Sequence, residues 1–378
     1  MVLTIIINKP YAGGMASFRS RARAPFRIRP LVLAAAAGAG LLVLSGCAGG
    51  GASDASDDRP QIVATTTQIA DFARELVGDQ AEVVQLLEPG QSAHSFDPSA
   101  GQLLAISRAD AVLVNGAGLE SWLDDALDSA GFDGPVVDAS QGIELFGTDD
   151  HEHGEDAHAD DAHAEDGDEH ADEASDPDDH DADHDHADGN PHIWTSPANA
   201  TRMVENLADG LAEIPGIDAD AVRTAEAGYT ARLADLDAWI RENIAQVPVE
   251  QRLLVTNHDA FTYFLHEYDI TLVGSVIPSF DDNAEPSAAE IDELVAKIRA
   301  TGVRAVFAEQ AISPKTAATI ARESGVTVYS GDDALYGDAL GAAGTEGATY
   351  IGSTVHNVRL MLASWGVEAS DPPASLRG

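Results

Sequence analysis

Short apolar, β-branched runs alternate with amphipathic stretches along most of this chain, and that alternation restricts its fold more than any other feature. The first run, "QIVATTT" from Gln61, reads as a strand. "QIADFARELVG" follows, with Ile69, Phe72, Ala73, Leu76 and Val77 at helical spacing and Gly78 as the stop. The pair recurs as strand "AEVVQLL" with helix "SAGQLLAISRA", then as strand "DAVLVNG" with helix "LESWLDDALDSAG", and the series closes on strand "GPVVDAS". Parallel strands need long crossovers, and helical crossovers cover both faces of the sheet they build. The first half of the chain therefore predicts an α/β lobe.

A tract between Asp149 and Asp188 interrupts the pattern. It holds 20 Asp or Glu, eight His and no Lys or Arg. With few apolar side chains to offset the entropy of ordering, no packed element is predicted there. The pattern resumes with a helical stretch from Pro197 to about Ile214 and a longer one from about Asp218 to Gln246. In the longer stretch Val222, Tyr229, Leu233, Leu236, Ile240 and Ile244 keep a spacing of three to four. Such a helix would reach roughly 43 Å at 1.5 Å per residue, enough to join two lobes rigidly. Strands "RLLVT", "ITLVGSV", "VRAVFAE" and "VTVYS" then alternate with helix "SAAEIDELVAKIRATG", a helix opening at Ser313-Pro314, and the last helix "TYIGSTVHNVRLMLASWG". Ser287 and Glu290 have capping-box spacing. The predicted architecture is α/β, with two parallel-sheet lobes joined by one long rigid helix and a ligand cleft where strand C-termini meet between the lobes. Its bounds are a first lobe over 61–215 with an unstructured loop at 149–189, a linking helix over 216–246 and a second lobe over 247–378.

The N-terminus places the chain outside the cytoplasm. Five arginines from Arg19 to Arg29 precede an apolar run, Leu31 to Leu44, that suits a signal-peptide core and is too short to span a bilayer. Residues 1–46 are read as that signal, with Met15 as an alternative start to Met1. The run ends in Leu44-Ser45-Gly46-Cys47, the pattern of a bacterial lipobox. Cys47 is the chain's single cysteine, so it forms no internal disulfide or thiolate cluster, and lipidation accounts for its position. Residues 47–60 are small and polar, a tether to the membrane. The formal charge of −43 repels phosphate backbones and anionic headgroups and attracts cations, which excludes nucleic acid as a partner and turns attention to metal ions.

Four residues in predicted cleft loops have the chemistry to hold such an ion. His94 lies in "EPGQSAHSFDPS", His192 in "NPHIWTSP", His258 in "LLVTNHDAFTYF" and Asp338 in "ALYGDALGAAG". Three imidazoles and a carboxylate form a set that borderline divalent cations accept. Taken singly, each His is equally well explained as a loop side chain bonded to backbone, and Asp332 and Asp333 compete with Asp338. His266 and His356 fall within helical patterns and are read as packed or solvated. Trp122 and Trp194 are read as core, and Glu309 is given no ligand role. A zinc hydrolase would need an open coordination position and a base, and four protein ligands leave none; H-E-x-x-H is also absent.

"HSFDPS", "VNGAGLESWL", "NPHIWTSP", "NHDAFTYF", "EPSAAEI", "VFAEQ" and "DALGAAGTEGATYIGSTVHN" occur in an order that resembles the zinc/manganese substrate-binding lipoproteins of bacterial ABC importers. The resemblance spans Gln61 to about Val367. It implies a solute-binding protein and not an enzyme: a monomer, held to the membrane through Cys47, that hands an ion to a permease driven by a cytoplasmic ATPase. It implies His94 and His192 as first-lobe ligands and His258 and Asp338 as second-lobe ligands. Where similar proteins carry Glu at the third position for manganese or iron, this chain has His258, which favours Zn²⁺ as cargo and leaves Mn²⁺ or Fe²⁺ as the alternative. A metal buffer or adhesin without transport would share the same site. The tract's His151, His153, His158, His163, His170, His180, His184 and His186 are read as weak, mobile ligands that gather ions beside the specific site.

Overall fold

A computed structural model describes residues 59–146, 189–279 and 284–377. Cys47, the signal and the tract histidines from His151 to His186 lie outside those residues. Among the described residues no helix is long and apolar enough to cross a membrane.

The first lobe is built on four parallel strands, β1 (Gln61–Ala64), β2 (Glu82–Gln85), β3 (Ala111–Val114) and β4 (Val136–Asp138), in the order β2-β1-β3-β4. Ile62 pairs with Val83 on one side and Ala111 on the other, and β3 is buried along its whole length, as a central strand covered on both faces requires. Helices α1 (Thr67–Val77), α2 (Ala100–Ile106) and α3 (Leu123–Ala130) connect the strands, and α4 (Pro197–Ala212) packs against α1 and β4. The first strand ends earlier than its β-rich sequence predicts. Thr66 turns to cap α1, its hydroxyl accepting from the Ile69 N–H. Helix α3 likewise starts at Leu123 and not at Leu119. Gly116, Ala117 and Gly118 all take positive φ, and the Glu120 carboxylate folds back to accept from the Asn115 and Gly116 N–H groups and the Thr65 hydroxyl. Burial pushes the Glu120 carboxyl up to about 7 in spite of these donors.

The linking helix is α5 (Ala219–Ile244), 26 residues or about 39 Å. Asp218 caps it through the Asp220 and Ala221 N–H groups, and the six residues of the predicted stripe are buried. It lies along α1 and α4 of the first lobe and the last helix, α9 (Tyr350–Trp365).

The second lobe contains two parallel pairs, β5 (Leu253–Thr256) with β6 (Thr271–Ser275), and β7 (Ala305–Phe307) with β8 (Thr327–Tyr329). Helices α6 (Thr262–Glu267), α7 (Ala288–Thr301) and α8 (Lys315–Ser324) complete it. The capping box on α7 forms as its spacing predicts. Helix α8 begins one residue later than predicted, with Pro314 in the cap position and no side-chain cap bond. A satellite core of Val255, Val276, Leu294, Ile298, Val306 and Ile320 fills the space between the strands and α7 and α8. The main core is not confined to one lobe: it runs from β1 and α1 through α5 to Phe264, Phe307 and α9.

Gly228 lies exposed in the interior of α5, and a Cβ there would meet no atom within 4 Å. Gly228→Ala should therefore raise stability by about 0.5–1 kcal/mol, through the smaller loss of backbone entropy on folding. Urea unfolding is the check, and an unchanged midpoint contradicts this account of α5.

Candidate metal centre

His94 sits between β2 and α2, His192 just ahead of the Ser196 cap of α4, His258 two residues past β5, and Asp338 in the irregular segment after β8. All lie beyond strand C-termini or at a helix entrance, at the cleft between the lobes. One ligand atom from each lies within 4.8 Å of the others. The Nε2 atom of His192 is 3.2 Å from both His94 Nε2 and His258 Nε2, and Asp338 Oδ1 is 3.1 Å from His192 Nε2 and His258 Nε2. A tetrahedral ion with bonds of about 2.0–2.1 Å would space its ligands by about 3.3 Å; these four separations are close to that, and the other pairs lie within 4.8 Å. His192, His258 and Asp338 are buried and His94 is half-buried, which makes His94 the rim of the site. Asp338 Oδ2 is buried without a hydrogen-bond partner among the described residues.

The competing residues lie elsewhere. Asp332 and Asp333 are exposed on the turn Gly331–Asp333. His266 is exposed against Phe146, and His356 packs on Tyr336 with Nε2 3.1 Å from the Ala334 carbonyl. The residues that flank the tract meet, the Asn190 N–H donating to the Phe146 carbonyl at 3.0 Å. At Gly189 a Cβ would stand 2.5 Å from Leu145, so a side chain at the root would collide.

The model of the family "Zinc-uptake complex component A periplasmic", ZnuA, matches residues 62–363. The chain belongs to the ZnuA family. The manganese-binding lipoprotein MntA of Bacillus subtilis is 30% identical over 318 residues, covering 83% of this chain and 92% of the relative. The zinc-binding protein TroA of Treponema pallidum is 26% identical over 341 residues, covering 89% and 99%. The solved structure of periplasmic TroA superposes with a TM-score of 0.66 over 81% of this chain and 99% of its own, at 24% identity, which establishes the two-lobed fold. ZnuA proteins are solute-binding components and not enzymes.

In this ZnuA chain each buried imidazole has its outer nitrogen engaged. His192 Nδ1 is 2.7 Å from Asn190 Oδ1, and His258 Nδ1 is 2.8 Å from Glu309 Oε1; both rings thereby turn Nε2 toward the shared centre. Neither Asn190 nor Glu309 was assigned a role from sequence. The available signal was chemical: an Asn two residues before a candidate His, and a Glu at the end of the strand beside another. Trp194 lies in the main core and Trp122 packs against it, as read, and both also brace the loops of the candidate ligands. The Trp122 indole donates to the Ala93 carbonyl at 3.0 Å, and Trp194 donates to the Gly337 carbonyl at 3.2 Å. A Cβ at position 337 would lie 1.9 Å from Glu309 Oε2, so any other residue there would have to displace the carboxyl group that faces His258.

Burial pulls the His192 imidazole down to about 4, so that ring is neutral at pH 7. Burial also acts to lower His258, but the Glu309 and Asp338 carboxylates outweigh it and hold this ring well above its ordinary value. Burial acts to raise Asp338, and the His258 and His192 rings overcome it and hold its carboxyl well below the usual range. Burial pushes the Glu309 carboxyl up, against the pull of the His258 ring whose Nδ1 it faces. The two carboxyl groups beside His258 therefore favour its protonated form, and an ion reaching Nε2 would compete with a proton there.

At pH 7 about one proton should leave per ion bound, and affinity should fall as pH drops, because proton and cation compete for one nitrogen. Calorimetry in buffers of different ionisation enthalpy measures the release. It should be smaller in Glu309→Gln, where His258 loses a carboxylate that holds its proton. No proton released by the native chain at pH 7 would contradict this charge assignment.

Proposed function

We propose that this chain captures Zn²⁺ outside the cytoplasm and delivers it to an ABC permease, with His94, His192, His258 and Asp338 as the ligands. The observation that carries the reading is the convergence of three imidazole nitrogens and one carboxylate oxygen on one largely buried point in the cleft. Four protein ligands leave no obligatory place for a reactive water, which suits capture and release of an ion as cargo. Relatives are named for manganese (MntA) and for zinc (TroA). The third imidazole, His258, supports the softer ion, and Mn²⁺ is the second reading because its coordination tolerates the same donors. Cys47 carries the lipid anchor, the chain works as a monomer, and the tract histidines from His151 to His186 raise the ion concentration near His192, six residues after His186.

Separate His94→Ala, His192→Ala and His258→Ala variants should each lose the one tight ion, with affinity reduced by more than the roughly 10–100-fold that loss of an outer partner causes. Replacing residues 147–188 with a short turn should leave that ion in place, because Phe146 and Asn190 already meet. Native mass spectrometry with chelator competition counts the ions. Loss of the tight ion with the tract, or its retention in all three His variants, would overturn the assignment. Zinc-limited growth of a deletion strain, restored by zinc and not by manganese, tests the cargo.

A further inference from the structure

The segment that carries Asp338 changes sides at Gly337. Up to Tyr336 its backbone belongs to the second lobe: the Leu335 N–H donates to the Ala308 carbonyl at 2.9 Å, and Asn357 on α9 takes both the Tyr336 N–H at 2.9 Å and its carbonyl at 2.8 Å. From Gly337 to Leu340 the partners come from the first lobe. The Gln68 carboxamide donates to the Asp338 carbonyl at 3.1 Å and, at 3.4 Å, to that of Gly337, which also accepts from Trp194. The Leu340 N–H donates to the Thr67 hydroxyl at 2.8 Å, and that hydroxyl donates to Gln68 Oε1 at 2.8 Å, which orients the carboxamide with its N–H groups toward the loop. Thr67 and Gln68 are buried at the start of α1.

This segment is in neither a strand nor a helix, so its backbone polar groups depend on those side chains. The loop is buried, and a small cavity lined by Gln68, Trp194, Gly337, Leu340 and Tyr350 borders it. We propose that Gln68, oriented by Thr67, is a positioning residue for metal binding, tying the Asp338 loop to the first lobe so that this carboxylate keeps its place beside His192. The inference rests on the assignment of Asp338 as a ligand. It makes the fourth ligand, although encoded in the second half of the chain, a mechanical part of the first lobe.

The test is a double-mutant cycle on the full chain, measuring Zn²⁺ affinity by chelator competition and the visible spectrum of the protein with one equivalent of Co²⁺. Gln68→Leu keeps the side-chain volume and removes the donors. It should weaken Zn²⁺ by about 10–100-fold, the loss typical of an outer partner, and shift the Co²⁺ bands. In an Asp338→Ala background it should change affinity by less than about twofold, because its effect passes through that carboxylate. Thr67→Val carries the same expectation and preserves shape, which keeps the test decisive if Gln68→Leu fails to fold. Equal losses in both backgrounds, or an unchanged Co²⁺ spectrum, would overturn the proposal. A native chain that binds no tight ion would instead refute the proposed function.

Discussion

Four atoms with lone pairs meet at one poorly hydrated point in this protein, and much of its irregular structure follows from that constraint. Acceptors brought together away from water lose hydration and gain nothing from each other unless something positive sits among them. In the metal-free state the positive charge that Glu309 and Asp338 favour is a protonated His258. A divalent cation at the same centre would take over that role. The surrounding bonds keep the acceptors aimed in either state: Asn190 and Glu309 fix two rings, Trp122 holds the loop before His94, and Trp194 and Gln68 hold the loop of Asp338.

The same interlobe bonds bear on how far the protein can open. Its main apolar core is shared by both lobes and the linking helix, so wide separation would expose surface that closure buries. Polar links reinforce it. The Asp71 carboxylate of α1 accepts from the Tyr350 N–H at the start of α9, and the Tyr350 hydroxyl donates to the Trp194 carbonyl. Burial raises the Asp71 carboxyl to about 6, so this link sits close to its own protonation range.

The fold was legible because its signals are local. Short apolar β-branched runs, the buried stripe of α5 from Val222 to Ile244 and the Ser287 capping box each declare themselves within a few residues. Two of the misplaced boundaries share a cause: a side chain bonding back to the backbone, as Thr66 does at α1 and Glu120 does ahead of α3, overrides the propensity of the residues it caps, whereas Pro314 ahead of α8 makes no such bond. In the centre, the four donors were legible as residue types in loops, and the resemblance tied them together. Their supports were not, since Gln68 and Asp338 are 270 positions apart and nothing in either neighbourhood refers to the other. Long-range polar contacts leave no periodic trace.

One consequence lies at the root of the acidic tract. The Asn190 N–H donates to the Phe146 carbonyl and Gly189 is fitted against Leu145, so the two ends that flank residues 147–188 are held side by side. Ends already held together impose no fixed length on the sequence that joins them, so that sequence can vary between chains of this kind while the residues on either side keep their places.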